Sequence, residues 1–197
     1  MIRIGITGGI GSGKTYVCQL LQQRGIPVYH CDDEAKRLMT ESSVIRRRLT
    51  QILGSDAYIS SGLNKPLIAQ YLFADEKHAA KVNAIVHPVV RQDFLRWTNQ
   101  QKNAPIVVQE CALLFESGFQ DTVDVTVEIY APLALRLERA TQRDHSTAEQ
   151  ILARMAQQMD EEEKRRRADF TILNDGTIGV EEQIDHLLNQ INNEYTK

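Results

Sequence analysis

Residues 8–15 read Gly-Gly-Ile-Gly-Ser-Gly-Lys-Thr, and no other stretch of the chain limits the possible folds so strongly. Glycines at this spacing permit positive φ angles and close backbone approach, which turn successive N–H groups toward a bound anion. Ahead of the loop stand Ile2, Ile4 and Ile6, predicting a short buried strand, and behind it Val17, Leu20 and Leu21 recur at helical spacing. Strand, glycine loop and helix N-terminus in that order make a phosphate-binding loop, because free amides and the helix dipole both favour negative charge. Lys14 is expected to reach the β- and γ-phosphates of ATP, and Thr15 to offer its hydroxyl to Mg²⁺. The contacts to ATP are expected from Gly9, Ile10, Gly11, Ser12, Gly13, Lys14, Thr15 and Tyr16.

Gly25 sits where the first helix should end, with Pro27 beyond it. Further strands are predicted at Val28-Tyr29, at Ile106 to Val108, from Val123 to Ile129 and from Phe170 to Leu173. Roughly 70 residues separate the second strand from the third, and their patterns are helical at Val44 to Leu53, Pro66 to Phe73 and Glu76 to Gln101. Another helix is expected from Val180 to Ile191. Strands alternating with helices imply an α/β fold: a parallel five-stranded sheet flanked by helices, carrying a helical insertion.

Composition narrows the function classes. The chain has 197 residues, a size for one domain with an insertion, and a net charge of −3 that provides no general field for nucleic acid. No apolar run reaches the roughly 20 residues that span a bilayer. Cys18, Cys31 and Cys111 form no CxxC pair, and the five histidines show no ligand spacing, so neither a disulfide framework nor structural zinc is expected. No signal peptide is expected ahead of the first strand. The expectation is a cytoplasmic protein without nucleic-acid or membrane partners, monomeric or weakly self-associating.

Ligands of open α/β sheets bind at the carboxyl ends of the strands. Asp32 and Asp33 follow the second strand and Glu110 the third. A carboxylate there can take a proton from an attacking hydroxyl or hold Mg²⁺. Asp32 is read as the general base, Glu110 as the acid near the metal, directly or through water, and Asp33 as an N-cap for a helix from Glu34 to Met39. Arg136, Arg139 and Arg143 share a helix face after the fourth strand, where guanidinium groups of a lid can neutralise a transferring phosphoryl group and exclude water; Arg139 is the best single choice. The run Asp160 to Arg167 reads as an exposed helix stabilised by its own acid–base pairs.

Together these residues resemble the dephospho-coenzyme A kinase family. The similarity rests on Thr7 to Lys14, on Asp32 with Ala35 and Arg37, and on Ile85-Val86-His87-Pro88. It continues through Leu113-Leu114-Phe115-Glu116, Arg143-Asp144, Arg154 with Gln158, Lys164 with Ala168-Asp169-Phe170, and Asn174-Asp175-Gly176. The resemblance implies a P-loop NTPase fold with a nucleotide-binding core (1–34, 104–135 and 168–197), a helical acceptor domain (35–103) and a lid (136–167). It implies an ATP-dependent phosphotransferase with an alcohol acceptor, the ribose 3′-hydroxyl of dephospho-coenzyme A, in the last step of coenzyme A synthesis. By the same similarity Arg139, Arg143, Asn174 and Gly176 serve ATP, and Asp32, His87, Leu113 and Glu116 serve the acceptor. The sequence departs from the family at His30, where an aspartate is usual, at Ala112 for proline, and at Tyr16 for threonine.

Two other readings stay open at this point. A nucleoside-monophosphate-type kinase would share the core, the acid after strand two and the lid. A non-catalytic nucleotide switch would keep the loop without needing a base. A GTPase is disfavoured, since the fifth strand ends in Asn174-Asp175-Gly176 rather than Asn-Lys-x-Asp.

Overall fold

Alternating apolar strands and amphipathic helices settle into two units in the computed structural model, which describes residues 1–195. One unit comprises Met1–His30 with Gln101–Lys197, the other Cys31–Gln100.

The first unit opens with β1 (Ile2–Thr7), the glycine loop, α1 (Lys14–Gln23) and β2 (Val28–His30). Gly25 at φ 77 ends α1 as its position predicts, its N–H donating back to Gln22 O at 2.9 Å. The second unit is built from α2 (Cys31–Glu41), α3 (Ser43–Leu53), the short hairpin β3 (Tyr58–Ile59) and β4 (Gly62–Leu63), α4 (Lys65–Ala74) and α5 (Glu76–Gln100). The chain then returns to the first unit with β5 (Ile106–Glu110), β6 (Val125–Tyr130), α6 (Leu133–Asp144), α7 (Ala148–Met155), α8 (Glu161–Arg167), β7 (Phe170–Leu173) and α9 (Val180–Tyr195).

The sheet is parallel and five-stranded, in the order β2-β5-β1-β6-β7. Its centre reads as nearly continuous apolar sequence because both faces are covered. Ile4, Ile6, Val108, Val125, Val127 and Ile129 pack with Val17 and Leu21 of α1 and with Ile184 and Ile191 of α9. Register places Ile6 beside Glu110 and Thr7 beside Glu128, so two glutamates flank the carboxyl end of the strand that feeds the loop.

Strand β6 starts two residues later than its apolar pattern predicts. The Asp124 carboxylate accepts from the Arg3 N–H at 2.8 Å and from its guanidinium at 2.6 Å, replacing a strand carbonyl. Helix α2 starts earlier than predicted. Asp32 and Asp33 stand in its first turn, where the dipole favours acids, and neither is the N-cap.

In the second unit Ile45, Leu49, Val82, Ile85, Val86, Val90 and Phe94 form the buried side of α3 and α5. Arg37 ties α2 to α5 through Asp93 at 2.8 Å. The β3–β4 pair lies inside a segment expected to be mostly helical; two-residue strands are too short to show a period of two.

Candidate active site

The phosphate loop turns between β1 and α1 on glycines in left-handed conformations. Gly11 lies at φ 82 and Gly13 at φ 98, and both are also close-packed. A Cβ on Gly11 would run into the backbone of Arg136, and one on Gly13 into the Asn174 amide. The amides of Gly11, Gly13, Lys14 and Thr15 meet no acceptor among the described residues. Ser12 adds a buried hydroxyl without a partner. Such a row of unsatisfied donors at a helix start is an anion site.

Lys14 Nζ donates to Gly8 O at 2.5 Å and to Gly9 O at 3.3 Å. Burial pulls its ammonium below the ordinary lysine value. Glu110, Glu128 and Glu161 oppose that shift, and Lys164 adds to it. Thr15 and Tyr16 are exposed just inside α1.

Glu110 ends β5 with Oε2 at 3.3 Å from His30 Nδ1. The far nitrogen of that ring, Nε2, lies 3.4 Å from the Gln22 amide nitrogen. An amide nitrogen only donates, so His30 Nε2 accepts and the Nδ1 proton points at Glu110. His30 thus occupies its unusual position as an orienting donor. Asp32 lies two residues further along the chain, exposed in the first turn of α2. Within the same unit, burial lowers the pKa of His87 on α5 while Asp32 raises it.

The predicted lid residues share a unit with the sheet. Arg136 is buried against the loop, its Nη1 3.6 Å from Glu161. Arg139 donates to Asn174 O at 3.0 Å, and Asn174 in turn donates to Ser12 O at 2.8 Å, which ties the turn after β7 to the phosphate loop. Gly176 lies exposed two residues on, at φ 87. Arg143 is engaged elsewhere, with Asp144 at 2.7 Å, and Asp144 also holds Arg154 at 2.6 Å. Leu113 is half-buried in the turns after β5. Glu116 there accepts from Met159 N–H at 2.8 Å and lies 3.4 Å from Lys164 Nζ.

Helix α8 corrects the expectation of an exposed, self-paired helix. Glu163 does pair with Arg166 and Arg167 on the solvent side. Glu161 and Lys164, however, are buried, with Lys164 fully enclosed. Glu161 accepts from Gly9 N–H at 3.1 Å, and Gln158 accepts from Ile10 N–H at 3.1 Å. The i,i+3 spacing of Glu161 and Lys164 was visible, but local pairing explained the whole run without a buried face.

Comparison with known proteins decides the family. The family model for dephospho-CoA kinase matches residues 2–179. The chain belongs to the dephospho-CoA kinase family. A dephospho-CoA kinase of Bacteroides fragilis is 47% identical over 187 residues, covering 95% of this chain and 91% of the relative. Among solved structures, the Thermus thermophilus protein TT1252 is 34% identical with a TM-score of 0.83, covering 96% of this chain and 97% of that one. The dephospho-CoA kinase of Campylobacter jejuni shares the fold at 23% identity and a TM-score of 0.68, with 96% of each chain covered. The enzyme is therefore a P-loop kinase that phosphorylates dephospho-CoA with ATP in coenzyme A synthesis.

Proposed function

We propose that the acceptor is the ribose 3′-hydroxyl of dephospho-CoA, that ADP is the second product, and that Mg²⁺ accompanies ATP. The observation that carries this reading is the set of unsatisfied amides at Gly11, Gly13, Lys14 and Thr15, closed by the Lys14 side chain and the orphaned Ser12 hydroxyl. These donors suit a polyphosphate tail better than any single carboxylate.

The donors near the loop also fit magnesium. The Thr15 hydroxyl and the Glu110 carboxylate are hard oxygen ligands, and Glu110 is already oriented by His30. Among the described residues no three His, Cys, Asp or Glu side chains cluster as ligands, which suits an ion held largely through phosphate and water. When bound, magnesium neutralises charge on the β- and γ-phosphates.

Asp32 accepts the proton of the acceptor hydroxyl as its oxygen bonds to the γ-phosphorus. The bond from that phosphorus to the bridging oxygen breaks, and ADP leaves. Lys14 and Arg139 balance the charge that develops, and Arg143 and the Asn174–Gly176 turn complete the nucleotide side. His87, Leu113 and Glu116 are assigned to the acceptor. No helix among the described residues is long and apolar enough to cross a membrane, and a cytoplasmic monomer or weak homo-oligomer is proposed.

The test is an acceptor screen with ATP and dephospho-CoA, AMP, CMP or shikimate. Turnover is expected with dephospho-CoA, blocked when its 3′-hydroxyl is replaced by hydrogen. Turnover with a nucleoside monophosphate alone would reject the acceptor.

A further inference from the structure

The phosphate loop is divided. The amides of Gly11, Gly13, Lys14 and Thr15 are open, whereas two earlier ones already hold side-chain acceptors: Gly9 N–H donates to Glu161 and Ile10 N–H to Gln158. Glu161 is nearly enclosed, with Arg136 Nη1 and Lys164 Nζ each 3.6 Å from its carboxylate. Gly9 fits because it has no Cβ; one there would strike both the Arg136 guanidinium and the Glu161 carboxylate.

Behind Glu161 stands Glu128 of β6, buried, with neither oxygen met by a donor. Its neighbour is the Glu161 carboxyl itself, and two carboxyl groups bond only when one carries a proton. Burial first, then the charge on Glu161, pushes Glu128 up to about 9, while Lys164 from α8 and Lys14 from the loop act the other way.

We propose that Glu161 and Gln158 are positioning residues that staple the start of the phosphate loop, and that Glu128 shares a proton with Glu161 to keep it there. The staple orders Gly9 and Ile10 before nucleotide arrives, so less ordering remains to be done on binding. Arg136 and Lys164 keep the Glu161 charge in place. The inference rests on the reading of this loop as the ATP site, and two separate measurements keep the two claims apart.

The first measurement is amide hydrogen exchange on the nucleotide-free protein. Gly9 and Ile10 are expected to be protected, with Glu161→Ala releasing Gly9 and Gln158→Ala releasing Ile10, each by about tenfold or more. Gln158 lies nearer the surface, so its variant reports even if Glu161→Ala fails to fold. Unchanged exchange in Gln158→Ala would overturn the staple whether or not the wild type binds nucleotide.

The second measurement is calorimetric titration with ADP. Glu161→Ala is expected to weaken binding about tenfold, and Glu161→Gln, which keeps an acceptor for Gly9 and donates its own N–H to Glu128, only about threefold. Equal losses in both variants would overturn the hydrogen-bond account. Between pH 8 and 10 wild-type affinity falls as the shared proton leaves. Lys14, whose ammonium burial also pulls down, is a second titrating group, so Glu128→Gln is the control: its amide donates at every pH, and its profile is expected to be flatter. Parallel profiles would remove Glu128 from the staple.

Discussion

Two glutamates stand at the same edge of the sheet, on either side of β1, and their neighbours make different groups of them. Glu110 receives the Nδ1 proton of His30, and its charge supports the Lys14 ammonium. Glu128 receives no donor, faces a second carboxyl and is pushed up to about 9. Residue type and sheet position are shared, so the difference comes from the adjacent element: β2 brings an imidazole, α8 brings a carboxylate. One side of the strand holds a carboxylate oriented by an imidazole, the other a carboxyl group facing a second carboxyl.

Lys14 lies near both carboxyl groups and is coupled to each. Replacing it by alanine removes the cation that links them and the partner of the transferring phosphate. Steady-state assays of Lys14→Ala should show a loss of about 10³-fold or more in transfer. A variant retaining a tenth of wild-type turnover would mean that neither glutamate is organised around this lysine. Asp32 lies just past His30 in the chain, and Asp32→Asn should lower kcat by about 10²–10⁴-fold with ATP affinity nearly intact. Wild-type kcat in that variant would leave the acceptor hydroxyl without an assigned base.

The Glu110 side can be tested alone. Glu110→Gln keeps the shape and loses the charge, so the magnesium concentration giving half-maximal rate should rise about tenfold. His30→Ala should move it less, because the carboxylate remains and only its orientation is freed. An unchanged magnesium requirement in both variants would reduce the His30–Glu110 pair to packing.

Much of this arrangement could be seen in the sequence. The loop, the five strands and the acids after strands two and three follow from local pattern and spacing, the signals that survive without tertiary information. Strand order does not, and strand order is what puts Glu110 and Glu128 on opposite sides of β1. The start of α2 was misjudged because Asp32 and Asp33 suit an N-cap and a first turn equally well. Helix α8 differs for a related reason: its acids and bases satisfy one another on paper, yet Glu161 and Lys164 face inward. Glu128 carried a signal that went unused. A charged residue in the middle of Val-Thr-Val-Glu-Ile-Tyr, in a strand covered on both faces, must find a partner or a proton.

That proton gives the smallest and most specific prediction. An acid whose pKa is raised on folding binds more protons in the folded than in the unfolded protein at every pH between the two values. For Glu128 the window runs from an ordinary 4.5 to about 9, so its contribution to stability falls as pH rises through it. Lys164 and Lys14 face the same carboxyl and temper the effect. Glu128→Gln has nothing to titrate at this position and should lose less thermal stability between pH 6 and pH 9 than the wild type. For a chain of this size each ~1 kcal/mol corresponds to about 2–4 °C in Tm, and a difference of at least that size is expected. Melting curves that shift in parallel would mean that Glu128 is ionised in the folded protein, and the contrast between the two sides of β1 would then be one of shape alone.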